Sequence, residues 1–190
     1  MPISYRGAGL GTYWHMNDAR ITGFTPHHPG AGQGISRVFQ HIARGTTASP
    51  YISLTRSFGV AWGYAMAGKK LPSVSKSTYV YEIEIEENDG LGTRLLDPVT
   101  AIANGLGSPY ETRTYHHDGD SAFLLGLVDP VGQRPSLRQD VRFAPPGEGT
   151  YRSPLLHIEL EALVRSLRDA EILAFGAIAV GQIRRRIEIR

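Results

Sequence analysis

The 190-residue sequence contains no cysteine, which excludes disulfide bonds, cysteine-based zinc sites and thiol nucleophiles. No apolar run approaches the roughly 20 residues that a membrane-spanning helix needs, so no membrane partner is predicted. The first residues, MPISYRGAG, lack the basic start and apolar middle of a secretory signal, so we expect export by another route or within a larger polypeptide. With 41% hydrophobic and 20% charged residues, the chain can bury a core, and we predict one domain over residues 1–190.

Lysine is also scarce, since only three of the 20 basic residues are lysine and the rest are arginine. Arginine binds phosphate and carboxylate groups better than lysine does, although a genomic preference for arginine codons would give the same composition. The net charge of +2 is too small to indicate a nucleic-acid partner by itself. The cluster RRR at residues 184–186 is interpreted as the solvated face of a terminal strand.

Apolar periodicity predicts helices and strands without a regular alternation, which is typical of the α+β class. Helices are predicted in GISRVFQHIARG, in TRSFGVAWGYAMAG with a buried stripe of Val60, Tyr64 and Ala67, and in SPLLHIELEALVRSLRDAE. Strands are predicted in PYISL, STYVYEIEIEEN, EILAF and QIRRRIEI. Residues 88–150 are predicted to form a loop-rich excursion with one or two short strands, and a loop of this length usually has a function.

Several short motifs do not reach the pattern that their chemistry requires. GAGLG at residues 7–11 is a fragment of a glycine-rich phosphate loop without the correctly spaced third glycine. The histidine pairs 27–28 and 116–117 lack a further ligand at helical spacing, so no metal site is predicted, although HHDGD could still collect a cation on a loop. No G-x-S-x-G elbow is present. Hydrolase chemistry of that type has no support in the sequence.

Four separated segments, taken in order, carry a more specific signal: SYRG at 4–7, His41 within VFQHIARG, YISLTRS at 51–57 and DAEILAFGAI at 169–178. In this order and spacing the chain resembles the mono-ADP-ribosyltransferase toxins. The resemblance is to the branch with an Arg, a Ser-containing strand and a late Glu, which includes the pertussis toxin catalytic subunit and the pierisin-like enzymes. It extends over residues 6–190 and implies an ADP-ribosyltransferase-like fold of two packed, mostly antiparallel sheets with flanking helices.

The resemblance implies that the Tyr5-Arg6-Gly7 step binds NAD as the co-substrate. Arg6 would bind the phosphates and the nicotinamide ribose, a task that suits a guanidinium fork, and Gly7 would let the ligand approach the backbone. The alternative is an ordinary surface arginine on an edge strand.

In YISLTRS, the resemblance places Tyr51, Ser53 and Thr55 at the cofactor-binding positions, and Ser53 would hold the catalytic glutamate. Leu54 departs from the family's middle threonine. Because strand side chains alternate, Leu54 points into the core and leaves Ser53 and Thr55 on one polar face. Thr55 could equally be a helix cap.

The resemblance also implies that Glu171 is the catalytic glutamate. Cleavage of the nicotinamide–ribose bond develops oxocarbenium character, which a buried carboxylate stabilises. Asp169 stands where relatives carry Glu or Gln, and its carboxylate could orient or deprotonate an acceptor. We expect it on the same face as Glu171 if the segment is extended. His41 either contacts the ribose or helps the acceptor, or it is a packed structural residue.

The resulting expectation is an NAD-dependent toxin or effector domain that transfers ADP-ribose to a macromolecule. The modest charge favours a protein acceptor and leaves RNA or DNA open. The lack of a secretory signal and of cysteine fits a domain that is delivered into a target-cell cytoplasm as part of a larger polypeptide. A cognate immunity protein is then expected as a partner. The alternatives are an NAD glycohydrolase on the same fold and a non-enzymatic binding domain that retains the fold.

Overall fold

A computed structural model of the chain describes residues 3–86, 92–105, 115–116, 142–143 and 154–190. The strands in these ranges are β1 Ile3–Ala8, β2 Tyr51–Thr55, β3 Thr78–Glu84, β4 Arg94–Leu96, β5 Tyr115–His116, β6 Arg142–Phe143, β7 Glu171–Phe175 and β8 Ile183–Ile189. The helices are α1 Tyr13–Met16, α2 Ala19–Thr22, α3 Ile35–Arg44, α4 Phe58–Met66, α5 Pro98–Gly105 and α6 Pro154–Arg168, and a 3₁₀ turn spans Val180–Gln182.

Six of the strands form an antiparallel sheet in the order β4-β7-β2-β1-β3-β8, and β5 and β6 pair separately. The sheet has a weak line in its middle. β1 pairs with β3 over six residue pairs and β2 pairs with β7 over five, but β1 and β2 are joined by one pair, Tyr5 with Thr55. We call the line between β1 and β2 the seam. It divides the sheet into two three-stranded halves.

The prediction of an α+β fold is confirmed at the level of a mixed structure with one antiparallel sheet. The prediction of two packed sheets differs from the strand pairing, because the Tyr5–Thr55 pair connects both halves into one six-stranded sheet. The apolar alternation behind the prediction shows which residues face inward. It does not show whether neighbouring strands continue one ladder.

Both halves of the sheet contribute to a shared core. Ile52 and Leu54 of β2 pack in the same buried cluster as Tyr81 and Ile83 of β3. Leu54 is therefore in the core, as the alternation of YISLT predicts. Because Leu54 is directed into this core, Ser53 and Thr55 lie on the opposite face of β2.

A layer of three helices covers that opposite face of the β2 half. Val38 of α3, Ile102 of α5 and Ala162 of α6 pack with Leu173 of β7 in a second buried cluster. The predicted helix in GISRVFQHIARG is confirmed as α3, which ends at Gly45 with a φ of 98°. Helix α5 and strand β4 lie within the 88–150 segment, and the rest of that predicted excursion falls largely outside the described residues.

Arg165 of α6 fixes the end of α3 on which His41 stands. Its Nη1 donates to the carbonyl oxygens of Ile42 at 3.0 Å and Ala43 at 3.3 Å. These carbonyls have no intrahelical partners, and a cation is favoured at the C-terminal end of a helix. Glu161, one turn earlier in α6, pairs with Arg165 at 2.5 Å. The last turn of α3 is therefore anchored to α6.

Helix α4 covers the β1 half, with its backbone very close to β1. The Ser57 side chain caps it by accepting a hydrogen bond from the backbone N–H of Val60. Its buried residues are Ala61 and Ala65, so the predicted stripe of Val60, Tyr64 and Ala67 is wrong, and Tyr64 is 50% exposed. Small residues face the sheet because only they allow so close an approach.

The arginine cluster of β8 lies beside acidic residues of neighbouring elements. Arg184 and Arg185 are exposed, as predicted, and pair with Glu84 and Glu82 of β3, while Arg186 pairs with Asp18 at 2.9 Å. These ion pairs join β8 to β3 and to Asp18, and pairs made by such exposed arginines contribute little to stability. Across the described ranges, the structure contains no helix that is both long and apolar enough to traverse a bilayer.

Candidate active site

A cavity of about 440 Å³ lies along the seam, between the halves of the sheet and the ends of α3, α4 and α6. Eight of the nine predicted site residues line it: Tyr5, Arg6, Gly7, His41, Ser53, Thr55, Asp169 and Glu171. The fold thus brings together residues from β1, α3, β2, the α6–β7 turn and the start of β7 that are up to 166 positions apart in sequence, from Tyr5 to Glu171. Its volume is in the range of ligand pockets.

Arg6 bridges the seam. Its Nη1 donates to the backbone carbonyl of Ser53, and its guanidinium carbon lies 5.7 Å from the ring centre of Phe24. Its Nε is buried and has no hydrogen-bond partner among the described residues. Burial lowers the pKa of the guanidinium to about 10, while the nearby Glu171 carboxylate acts to raise it. Arg6 is therefore a cation at neutral pH with a donor left for a ligand.

Glu171 is the first residue of β7, opposite Thr55 of β2, and only 8% of it is exposed. Burial raises the pKa of its carboxyl group to about 7. A hydrogen bond from the Ser53 side chain opposes this rise, Asp169 adds to it, and Arg6 and Arg168 oppose it more weakly. A pKa this far from the ordinary value, in a cavity, is typical of functional carboxyl groups.

The Ser53 hydroxyl stands between Glu171 and His41. The Nε2 atom of His41 lies 2.7 Å from Ser53 Oγ, and Nδ1 lies 2.5 Å from Ser49 Oγ. Burial, with a smaller effect of Arg6, lowers the pKa of His41 to about 3, so the ring is neutral. Sequence reasoning missed Ser49, because nothing in ARGTTASP distinguishes this serine from an ordinary loop residue.

Tyr51 and Thr55 have supporting positions. Tyr51 is buried, does not line the cavity and packs edge-on against His41, with ring centres 5.8 Å apart. The Thr55 hydroxyl donates to the backbone carbonyl of Asp169 at 2.5 Å and accepts from the Ser57 N–H at 3.0 Å. Thr55 therefore joins the α6–β7 turn to the start of α4.

The Asp169 carboxylate accepts three hydrogen bonds from its neighbours. Arg168 donates to both its oxygens, from Nε at 2.5 Å and from Nη2 at 2.6 Å. The Tyr64 hydroxyl donates to it at 2.6 Å. Ala170 has a φ of 44°, so residues 169–171 are not extended as the expectation of a shared strand face requires. Neither Arg168 nor Tyr64 was predicted as a site residue, since Tyr64 was assigned to the buried stripe.

Tyr5 and Gly7 line the β1 side of the cavity. The Tyr5 ring packs edge-on against Phe58 of α4, with ring centres 5.6 Å apart. A Cβ atom on Gly7 would lie 2.1 Å from the carbonyl oxygen of Ala61. The approach of α4, not that of a ligand, therefore requires glycine here, which corrects the reason given from the sequence.

Within the described ranges, no three histidine, aspartate or glutamate residues are grouped so that they could hold a metal ion. The HHDGD segment falls outside these ranges apart from the backbone of His116. No protein-family model matches the chain, and no curated protein matches it.

Proposed function

We propose that the chain is an ADP-ribosyltransferase-like domain that transfers ADP-ribose from NAD to a macromolecular acceptor and releases nicotinamide. The observation that carries the proposal is that Arg6, Ser53 and Glu171, on three neighbouring elements of the sheet, line one cavity with the carboxyl group buried. This is the set of residue types at the positions that the mono-ADP-ribosyltransferase resemblance requires. The ADP-ribosyltransferase-like fold, the macromolecular acceptor and the delivery of the domain as a toxin are proposed with it.

The residues of the cavity fit NAD. The orphaned Nε donor of Arg6 suits a phosphate oxygen, and the guanidinium is fixed on its other side by the Ser53 carbonyl. Arg168 places a second guanidinium on the cavity wall, beside the Asp169 carboxylate. When bound, NAD supplies a nicotinamide–ribose bond whose cleavage develops positive charge on the ribose.

Glu171 would act as the carboxylate that faces this charge. Its burial strengthens the electrostatic interaction, and a well-placed group of this kind contributes about 3–4 kcal/mol to transition-state stabilisation. Ser53 would hold the carboxylate in position through its hydroxyl group. Because the pKa of Glu171 is raised to about 7, the active ionised form becomes abundant only at neutral pH and above.

The test is incubation with total cell lysate and NAD labelled in the ADP-ribose part. We expect label in protein, RNA or DNA and release of nicotinamide, with at least a hundredfold loss of rate in Glu171→Gln. Glu86→Gln is the matched control, since Glu86 is exposed and outside the cavity. Absence of label from every pool, without nicotinamide release, would contradict both enzymatic functions, and NAD binding without turnover would indicate a binding domain.

One observation favours NAD glycohydrolase as the second candidate. Arg168 and Tyr64 donate three hydrogen bonds to the Asp169 carboxylate, and these bonds weaken it as a base for a macromolecular acceptor. Water would then be the acceptor, and the label would appear as free ADP-ribose. The ratio of free to macromolecule-bound label in the same experiment distinguishes the two functions.

The biological setting remains a proposal of the same kind: a toxin or effector delivered into a target-cell cytoplasm, with a cognate immunity protein. Expression in a host cell tests it. The wild-type chain is expected to arrest growth and Glu171→Gln is not, whereas equal tolerance of the two would contradict a toxin.

A further inference from the structure

A line of buried polar groups runs from the segment after α3 to the carboxyl group of Glu171. Ser49 is 3% exposed and its Oγ contacts Nδ1 of His41 at 2.5 Å. On the other side of the ring, Nε2 contacts Ser53 Oγ at 2.7 Å, and Ser53 lies on the same cavity wall as Glu171, where its side chain lowers the pKa of the carboxyl group. Ser49 does not line the cavity, so its influence on a ligand must pass through His41.

The number of protons that the serines and the histidine can donate determines in which direction the hydrogen bonds of this line run. A neutral imidazole donates from one nitrogen and accepts at the other, whereas each serine hydroxyl has one proton to donate. Ser49 Oγ already accepts the backbone N–H of Tyr51 at 3.1 Å, so its own proton is available for Nδ1 of His41. His41 then carries its proton on Nε2 and donates it to Ser53, whose hydroxyl proton remains for the Glu171 carboxylate.

The opposite arrangement, with the His41 proton on Nδ1, leaves more hydrogen-bonding groups without a partner. If Nδ1 carried the proton, Ser49 Oγ would receive two donors and its own proton would have no partner in the line. Ser53 would donate its hydroxyl proton to Nε2 and could not donate to the Glu171 carboxylate. A buried carboxylate that loses a donor is destabilised, so the first direction is favoured when Glu171 is ionised.

We propose that Ser49 is a positioning residue that holds His41 in the Nε2–H tautomer and thereby directs the Ser53 hydroxyl proton to Glu171. The catalytic consequence rests on the proposed function, whereas the tautomer does not. His41 is then a bridge between two serines. It is not a base for the acceptor, because both of its nitrogens are occupied inside the protein.

Other groups that line the cavity also influence the ionisation of Glu171. Because His41 is buried and neutral, it transmits the effect of Ser49 by hydrogen bonding and not by charge. The charged and titratable groups that face Glu171 are Arg6 from β1, Tyr64 from α4, and Arg168 and Asp169 from the end of α6.

The first measurement is the nitrogen-15 NMR spectrum of His41 in the unliganded wild-type protein at pH 8.5, where Glu171 is ionised. The ring nitrogen that carries the proton is identified by its chemical shift and its coupling. We expect a proton on Nε2 and none on Nδ1. A proton on Nδ1 would overturn the proposal, and this measurement requires no substitution and no NAD.

The second measurement follows the Glu171 carboxyl carbon by NMR titration in Ser49→Ala, with Ser49→Thr as the variant that keeps a hydroxyl. Loss of a donor that acts on a charged group should raise the Glu171 midpoint by about one pH unit in Ser49→Ala. Ser49→Thr should restore both tautomer and midpoint, and Ser75→Ala, at an exposed serine before β3, should change neither. An unchanged tautomer and midpoint in Ser49→Ala would overturn the proposal.

The kinetic consequence is measured separately. If the proposed function holds, Ser49→Ala lowers kcat at pH 7 and leaves KM for NAD near the wild-type value, because Ser49 does not line the cavity. The kcat profile should shift toward alkaline pH by the same interval as the Glu171 midpoint. If no turnover exists at all, the two NMR measurements still support or reject the role of Ser49.

Discussion

Glu171 combines two properties that oppose each other at the scale of a single residue. Its burial makes the carboxylate a strong electrostatic partner for positive charge, but the same burial makes the carboxylate costly to ionise. The hydrogen bond from Ser53 and the positive charge of Arg6 reduce that cost without removing it. The residue is therefore poised near neutrality, and two predictions follow from its ionisation.

The first prediction concerns rate. Because the ionised form of Glu171 is required and its pKa is about 7, kcat/KM should rise with pH up to neutrality and level off above it. His41 should add no inflection in this range, since burial keeps its pKa near 3. Steady-state kinetics between pH 5 and 9 test this, and a rate that is flat from pH 5 to 9 would contradict it.

The second prediction concerns stability. Between the ordinary carboxyl pKa of 4.5 and the folded value of about 7, the folded state binds more protons than the unfolded state, so stability falls as pH rises. Glu171→Gln lacks this ionisation. Its free energy of unfolding relative to wild type should therefore increase by about 3 kcal/mol between pH 4 and pH 8.

Urea denaturation at both pH values measures this difference, and comparison across pH cancels any constant effect of the substitution. Glu86→Gln, at an exposed position, should show no such change. Equal stability differences at pH 4 and pH 8 would mean that the Glu171 carboxyl group titrates normally in the folded protein.

At the scale of elements, the contact of α4 with β1 depends on the absence of a side chain. Gly7→Ala would place a Cβ atom 2.1 Å from a backbone carbonyl of α4, so the helix must move away from the sheet. We expect a loss of at least about 3 kcal/mol, comparable to severe overpacking.

Gly63→Ala is the matched control within the same helix. Nothing lies within 4 Å of the position that its Cβ would occupy, and the glycine is exposed. Alanine is favoured over glycine in a helix interior by about 1 kcal/mol, so this variant should be more stable than wild type. Thermal or chemical denaturation of the pair gives opposite signs if the packing is as described, and losses of similar size would contradict it.

At the scale of the whole molecule, the sequence predicted the elements that surround the site better than their arrangement. Helix α3, strands β2, β3, β7 and β8 and the inward direction of Leu54 follow from local periodicity, which is a property of neighbouring residues. The buried face of α4 could not be predicted, because it depends on Gly7 of β1, more than fifty positions earlier.

The site residues also divide into those that local motifs predict and those that depend on distant contacts. The residue types of Arg6, Ser53 and Glu171 could be recognised from motifs, and the fold brings them to one cavity. The state of Asp169 could not be predicted, because it depends on a contact with Tyr64 that is 105 positions away. Ser49 carries no local signal, and its contact with His41 arises only when the segment before β2 folds against α3.

A ligand that contacts both halves of the sheet should stabilise the whole molecule. We expect NAD at about 100 times its dissociation constant to raise the free energy of unfolding of Glu171→Gln by about 2.7 kcal/mol. The Gln variant is used so that the ligand is not consumed. Arg6→Gln added to Glu171→Gln should lose most of this increment, and an equal increment with and without the Arg6 substitution would place the ligand elsewhere.

The seam has a kinetic consequence as well. A sheet separates most readily where fewest ladder hydrogen bonds join its strands, and here β1 and β2 share one registered pair, supplemented by the Arg6 bond to the Ser53 carbonyl. The proposed ligand would span this same line. Occupancy would then act as a removable cross-link that slows the opening of the chain, so the lifetime of the folded domain would be set by the concentration of its own substrate.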